Sequence, residues 1–298
     1  MINFNNLCEL LPLIKINKLS HNMGAEICNI DLTKLIDSSV LDMIKNIFFS
    51  NHLLVFRNQS LDAKKLVHFS RLLGDLDIHI KNEFHHNDFP EVLILSNKKK
   101  QDGSPVGFED AGRYWHTDMS YTKTPPMASI LLALEVPDYG GDTLFCNMEK
   151  AYSDLENKEK EFLLTLKAIH SYEASFLGLT SANKNRTALT NEQKKRLNKV
   201  IHPVIRTHKE TNNRSIYVNP GFTEKIEGKS KNESKKILER IFDHCLDNKY
   251  IFRYKWKKND LVIWDNSSVL HHATEYDMSQ TRHMLRTTIR GSVPTLNK

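Results

Sequence analysis

The sequence predicts a mainly β protein with flanking helices and a jelly-roll core. Two observations carry this. From residue 91 onward, short apolar stretches of strand length follow one another, separated by turn residues. Helical periodicity occurs between them rather than in one block, which groups the helices on the outside of a β core. No internal repeat, low-complexity tract or Pro/Gly/Ser-rich linker interrupts the chain, so residues 1–298 read as a single domain.

Taken in order, "GAEICNI" reads as extended. "SSVLDMIKNIFFSNH" carries Leu41, Ile44, Ile47 and Phe48 at helical spacing, with Ser38 or Ser39 placed to cap it. "LLVFRN" is a short buried strand. "SLDAKKLVHFSRLLG" is a helix between a capping serine and a terminal glycine. The strands that follow are "EVLILS", "MASILLALEV", "DTLFCN", "VIHPVIRTH", "SIYVNP", "YIFRYKW", "DLVIWDN" and "HMLRTTIRG", with turns at "VPDYGGD" and at "KKND" (257–260). One late helix is well marked. In "SKNESKKILERIFDHCLD", Ser230 and Glu233 form a capping-box pair. Ile237, Leu238, Ile241, Phe242, Cys245 and Leu246 then make an apolar stripe.

At 40% hydrophobic, 298 residues can bury a sizeable core. No apolar run approaches the ~20 residues that span a bilayer. The first twenty residues lack the basic start, apolar stretch and small-residue site of a signal peptide. A cytoplasmic protein with no membrane association is expected. Cys8, Cys28, Cys146 and Cys245 form no C-x-x-C pair, which argues for free thiols rather than a zinc ribbon or a disulfide framework. The formal charge is +6, with basic runs at "NKKK" (97–100) and "RYKWKK" (253–258). Aromatics interleave with the second run as in nucleic-acid binders. A strand edge guarded by lysines accounts for it more simply, so no nucleic-acid partner is expected. The charge equally suits a small anionic substrate. A homo-oligomer is compatible with the sequence, which does not fix it.

The chemistry concentrates around "GRYWHTDMSY" (112–121). In a strand, His116 and Asp118 would point to one face. Most of the fourteen histidines, His52, His68 and His244 among them, read as structural. His116 differs because a partner exists far downstream, in "DLVIWDNSSVLHHATEYDMSQTRHMLRTTIRG" (260–291). Two imidazoles and one carboxylate make the facial triad of non-haem Fe(II) oxygenases. Three protein ligands leave room for a 2-oxoacid to chelate and for dioxygen to bind. The distal carboxylate of such a co-substrate needs a counter-charge. Arg282 and Arg286 follow His271 by 11 and 15 residues, and a guanidinium pairs with a carboxylate bidentately. An even separation keeps both arginines on one face of a strand. Periodicity alone does not choose between His271 and His272 as the third ligand.

These residues resemble the taurine dioxygenase / 2,4-dichlorophenoxyacetate dioxygenase (TauD/TfdA) family of Fe(II)/2-oxoglutarate-dependent dioxygenases. The match is carried, in order, by "GAEICNIDLTK", "LGDLDIH", "WHTD", "GGDTLF" (140–145), "VNPGFT" (218–223), "IWDN" and the terminal R-x-x-x-R, and it covers nearly the whole chain. It implies a double-stranded β-helix, the jelly roll. It implies His116, Asp118 and His271 as iron ligands, the last placed five residues after the "WDN" asparagine. It implies that Thr143 and Arg282 bind 2-oxoglutarate, and that Arg286, with His79 nearby, faces the acidic head of the prime substrate. Phe176 and Phe222 would be apolar walls. Where the taurine enzyme has a tyrosine and an asparagine on its substrate, this chain has Asn82 and Gly112, and the 80–114 loop is longer. Taurine itself is therefore in doubt, while the iron and 2-oxoglutarate machinery is intact. The implied cofactors are Fe(II), 2-oxoglutarate and O2. The implied reaction is hydroxylation or desaturation of a small organic acid, such as a sulfonate, an aryloxyalkanoate or an amino-acid-derived natural-product precursor, with release of succinate and CO2.

Two other readings use the same triad. A zinc-dependent hydrolase accepts two histidines and a carboxylate but has no use for Thr143 and Arg282. A non-catalytic metal-binding jelly roll has no use for the paired arginines.

Overall fold

A computed structural model describes residues 14–109, 112–174, 189–195 and 197–297. In chain order the elements are β1 (Lys15–Lys18), β2 (Ala25–Cys28), α1 (Ser38–Asn51), β3 (Leu53–Phe56), α2 (Ala63–Leu73), β4 (Leu93–Ser96), β5 (Ala128–Glu135), β6 (Thr143–Asn147), α3 (Met148–Ser153) and α4 (Asn157–Leu164). They continue with β7 (Lys167–His170), α5 (Asn191–Lys195), β8 (Val200–Pro203), β9 (Ile205–Thr207), β10 (Arg214–Ile216), β11 (Thr223–Ile226), α6 (Lys231–Cys245), β12 (Ile251–Tyr254), β13 (Leu261–Asp265), β14 (Val269–Ala273) and β15 (His283–Ile289).

A seven-stranded major sheet runs β1-β2-β3-β13-β5-β15-β4. Smaller sheets run β12-β6-β14 and β11-β7-β8, with β9 and β10 as a ribbon. The pairings are antiparallel except β2 with β3. This is the expected β-rich core with helices outside it, and alternation along each strand sorts side chains between two cores. Outward residues Leu54, Phe56, Ile130, Leu132, Leu261, Ile263, Leu285 and Ile289 pack with Val40, Ile44 and Phe48 of α1 and Leu66, Val67 and Phe69 of α2. Inward residues Leu53, Val55, Leu131, Ala133, Val262, Trp264 and Met284 meet Phe145, Tyr254 and Val269 of the β12-β6-β14 sheet. The far side of that sheet, Cys146 and Leu270, packs with Leu238, Ile241 and Cys245 of α6.

The helix starts refine the sequence reading. The capping box at Ser230 and Glu233 is present. At α1, however, Asp37 rather than Ser38 or Ser39 is the cap, accepting from Ser39 N and Val40 N. At α2, Asp62 replaces the expected serine, accepting from Lys65 N. A carboxylate one or two residues away outcompetes a hydroxyl because it accepts amide hydrogen bonds with a full charge. "VIHPVIRTH" is two strands, β8 and β9, rather than one.

β12 is an edge strand, and the basic run there holds Arg253 on Asp142 at 2.6 Å. Its aromatics point inward: Tyr254 and Trp256 are buried. Lys98 pairs with Glu135 and Lys99 with Glu109 in the other run. His52 and His244 have structural partners, Ser268 and the Ala151 carbonyl. No helix among the described residues is long and apolar enough to cross a membrane.

Candidate active site

The alternation that builds the inner core also selects the third histidine. Leu270 of β14 faces the α6 layer, so His271 faces inward and His272 outward again. The His272 ring lies 5.5 Å from Trp115, away from the cavity. β6 pairs with β14 so that Phe145 is opposite His271 and Thr143 opposite Ala273, which puts Thr143 on the same inner face. Trp256 Nε1 donates to Thr143 Oγ1 at 2.9 Å.

His116 reaches His271 through an isolated bridge. The two residues exchange both backbone hydrogen bonds, at 3.0 and 2.7 Å, and their ring centres are 4.0 Å apart. A strand through "WHTD" does not form: His116 makes the single bridge. The chain turns through Asp118 and Met119, the latter at φ 49°, so Asp118 reaches the imidazoles by a turn and not by alternation. Two bonds hold the turn: Thr117 Oγ1 donates to the Asn266 carbonyl at 2.7 Å, and Thr122 N to the Met119 carbonyl at 2.9 Å. Gly221 of "PGFT" is demanded by close approach, since a Cβ there would lie 2.5 Å from the Tyr114 ring.

One ligand-type atom from each of His116, Asp118 and His271 lies within 4.8 Å of the others, and all three residues are buried. His116 Nε2 is 3.7 Å from Asp118 Oδ1, and His271 Nε2 is 3.9 Å from Oδ2. His116 Nδ1 donates to the Tyr114 carbonyl at 2.8 Å, which leaves the Nε2 lone pair directed at the cluster. Burial, with His116 alongside, holds the His271 imidazole well below its ordinary value, so it is neutral. Burial opposes ionisation of Asp118, but Arg286 and then the two histidines outweigh it and hold the carboxyl well below the usual carboxylate range. Arg286 Nη1 donates to Asp118 Oδ1 at 3.1 Å, and Ser129 Oγ to Oδ2 at 2.5 Å. Two imidazole nitrogens and an anionic oxygen fit a divalent first-row metal, with His116 and Asp118 supported from behind and His271 Nδ1 without a hydrogen-bond partner.

A cavity of about 60 Å³ opens beside this cluster. Its walls include His79, His116, Asp118, Thr143, Phe222, His271, Arg282 and Arg286. Eight of the nine residues singled out in the sequence therefore meet in one place; Phe176 lies outside the described residues. Arg282 and Arg286 both face the cavity, as their even spacing requires. Burial lowers the Arg282 guanidinium to about 10, against the pull of Tyr276, and its Nε has no hydrogen-bond partner. Burial and then Arg286 push His79 down to about 3, so this imidazole is neutral. Phe222 stands edge-on to His116, ring centres 5.9 Å apart.

Sequence reasoning missed four contributors. Tyr121 and Tyr172 line the cavity with Phe222. Ser129 and Asn266 stand behind Asp118: Asn266 Nδ2 donates to Ser129 Oγ at 3.0 Å, and its Oδ1 accepts from Trp264 Nε1 at 3.1 Å. The only available signals were a small polar residue inside "MASILL" and the asparagine of "WDN".

The model of the family described as "Taurine catabolism dioxygenase TauD, TfdA family" matches residues 15–288. The chain belongs to the TauD/TfdA family. Like its relatives, this TauD/TfdA protein is an Fe(II)/2-oxoglutarate-dependent dioxygenase, an oxidoreductase. An α-ketoglutarate-dependent sulfonate dioxygenase of Saccharomyces cerevisiae is 30% identical over 98% of this chain and 71% of its own length. An α-ketoglutarate-dependent 2,4-dichlorophenoxyacetate dioxygenase of a Burkholderia species is 29% identical, over 89% of this chain and 91% of its own. The crystal structure of AAD-2 in complex with Mn(II) and N-oxalylglycine superposes with a TM-score of 0.80 at 26% identity, covering 95% of this chain and 99% of that one. The TauD/TfdA jelly roll is thus the fold.

Proposed function

We propose that this TauD/TfdA enzyme oxidises a small organic acid, a sulfonate or an aryloxyalkanoate being the leading classes, and that residues 1–298 act as one domain in doing so. The observation that carries the reading is the pair of guanidiniums, Arg282 and Arg286, that line the cavity beside the histidine–carboxylate cluster. Relatives named for sulfonate and 2,4-dichlorophenoxyacetate substrates support an anionic substrate.

In this reading His116, Asp118 and His271 hold the iron. Arg282 and Thr143 receive the distal carboxylate of 2-oxoglutarate, the first through its fork and the second through its hydroxyl. When bound, the iron and 2-oxoglutarate supply the O2-dependent C–H oxidation, with succinate and CO2 released. Arg286 keeps Asp118 ionised and turns its remaining N–H groups to the substrate's anionic head. Neutral His79 adds a hydrogen bond there without adding charge. Phe222 and Tyr121 supply apolar walls that exclude water and orient the substrate's body. The two alternative readings lose ground here, because neither hydrolysis at zinc nor metal storage employs Arg282.

The test is substrate-dependent succinate release across a panel of organic acids, each run beside its neutral ester or amide. The acid should be turned over and the neutral analogue poorly. In Arg286→Ala the advantage of the acid should collapse while 2-oxoglutarate binding persists. If removing the substrate's charge costs as much in Arg286→Ala as in the wild type, the two groups do not meet and the binding mode fails.

A further inference from the structure

A second buried guanidinium lies outside the active-site cavity. Arg206, on β9, is 4% exposed. Its Nε has no hydrogen-bond partner, and among the described residues no carboxylate pairs with it. Its guanidinium carbon lies over the Tyr217 ring, 4.7 Å from the ring centre. Arg286, buried to a similar degree, has Asp118 instead. An ion pair loses its balance when one partner is missing, because desolvation of the remaining charge is uncompensated.

Arg206 lines a separate cleft of about 110 Å³, together with His208, Lys209, Ser267, Arg290 and Glu210. The cleft shares no wall residue with the active-site cavity. Its charge is mostly positive. Lys209 and Arg290 are cationic, Arg290 being tied to Asp77 at 2.9 Å. His208 is held on buried Asp265 at 3.1 Å, which offsets its charge, and Glu210 is the one acid on the wall. Arg206 is the buried cation among them, and no carboxylate pairs with it among the described residues.

We infer that this cleft binds a small oxyanion, a sulfate, a phosphate or the carboxylate end of a short organic acid, on the unpartnered edge of Arg206. A planar guanidinium donates two parallel N–H groups to two oxygens of one such group, a contact that sulfate, phosphate and carboxylate all offer. The site does not depend on the reading of the active-site cavity.

The experiment is thermal unfolding of anaerobic enzyme loaded with Fe(II) and 2-oxoglutarate, titrated with sodium sulfate, sodium phosphate or sodium succinate against sodium chloride at matched ionic strength. Binding to the folded state raises Tm saturably. At least one of the three anions should do so, and comparing them separates tetrahedral anions from carboxylates. Arg206→Gln should weaken the effect by about tenfold or more, the loss expected for a charge-assisted contact. Arg286→Ala should retain it. No rise above chloride, a rise unchanged in Arg206→Gln, or a rise lost in Arg286→Ala overturns the site. Should Arg206→Gln fail to fold, wild-type crystals soaked in sodium selenate decide it. An anomalous peak beside Arg206 Nε supports the site, and selenate found only elsewhere removes it.

Discussion

The two faces of β15 differ in purpose although both are buried. Outward, Leu285 and Ile289 join the core beneath α1 and α2, and Thr287 Oγ1 meets Ser70 Oγ of α2 at 2.7 Å. Inward, Met284 joins the inner core, and Arg286 reaches Asp118. One face is sealed by helices and holds the fold together. The other is sealed only at one end, and where the apolar packing stops, charged groups balance one another around a cavity. Burial alone therefore does not mark a structural residue. What separates the faces is whether a buried polar group has a partner in the fold or an atom still free to bind something else.

Disturbing the inner face should cost the most activity. Asp118→Ala removes the anionic member of the cluster and leaves Arg286 without its carboxylate, so turnover should be abolished and iron binding sharply weakened. Iron content and succinate release measure both, and near-normal values would dismiss Asp118 as a ligand. Disturbing the outer face should do the opposite. Leu66→Ala empties a fully buried position under the sheet and should destabilise by about 2–5 kcal/mol, while turnover per folded molecule is kept. Denaturant unfolding paired with kcat would expose any coupling between the faces.

A smaller effect is expected at Arg282. Arg282→Ala should raise the 2-oxoglutarate requirement by about 10- to 150-fold, the worth of a charge-assisted contact of about 1.5–3 kcal/mol. Arg282→Lys should recover part of it, since lysine lacks the planar fork. Equal 2-oxoglutarate dependence in all three proteins would take Arg282 out of the site.

His79 gives a pH signature. Its folded value, about 3, lies below the ordinary 6.5. Between these limits the unfolded chain binds the proton and the folded chain does not, so His79 makes stability rise with pH from about 3 to 6.5 and contributes no slope above. His79→Gln should flatten that part of the stability profile; an unchanged profile would mean that the imidazole titrates normally. The smallest effect belongs to His272→Ala, which should leave iron binding intact because the ring faces Trp115. Loss of iron in this variant, with retention in His271→Ala, would reverse the assignment.

Much of this was legible in the sequence, for a physical reason. Strand and helix periods follow from where apolar residues recur, so β3, β5, β13, β15 and α6 could be read directly. The charged residues of a metal and 2-oxoacid site are few in kind, so H-x-D, a distal histidine and spaced arginines stood out together. Chain order supplied the rest of the resemblance. The caps of α1 and α2 were misread because the choice between neighbouring serine and aspartate depends on which side chain the local backbone aims at the free amides.

By itself, then, the sequence determined the β-rich class, the eight cavity residues within the described chain and the chemistry they can support. The resemblance selected His271 over His272, but only the tertiary structure supplied the physical reason, the facing of β14 residues against β6. The tertiary structure also decided how Asp118 arrives, through a turn pinned by Thr117 and Asn266. And it brought Ser129 and Asn266 behind Asp118, and left Arg206 without a carboxylate. Each of these is a relation between residues distant in the chain, and a linear pattern carries no distance.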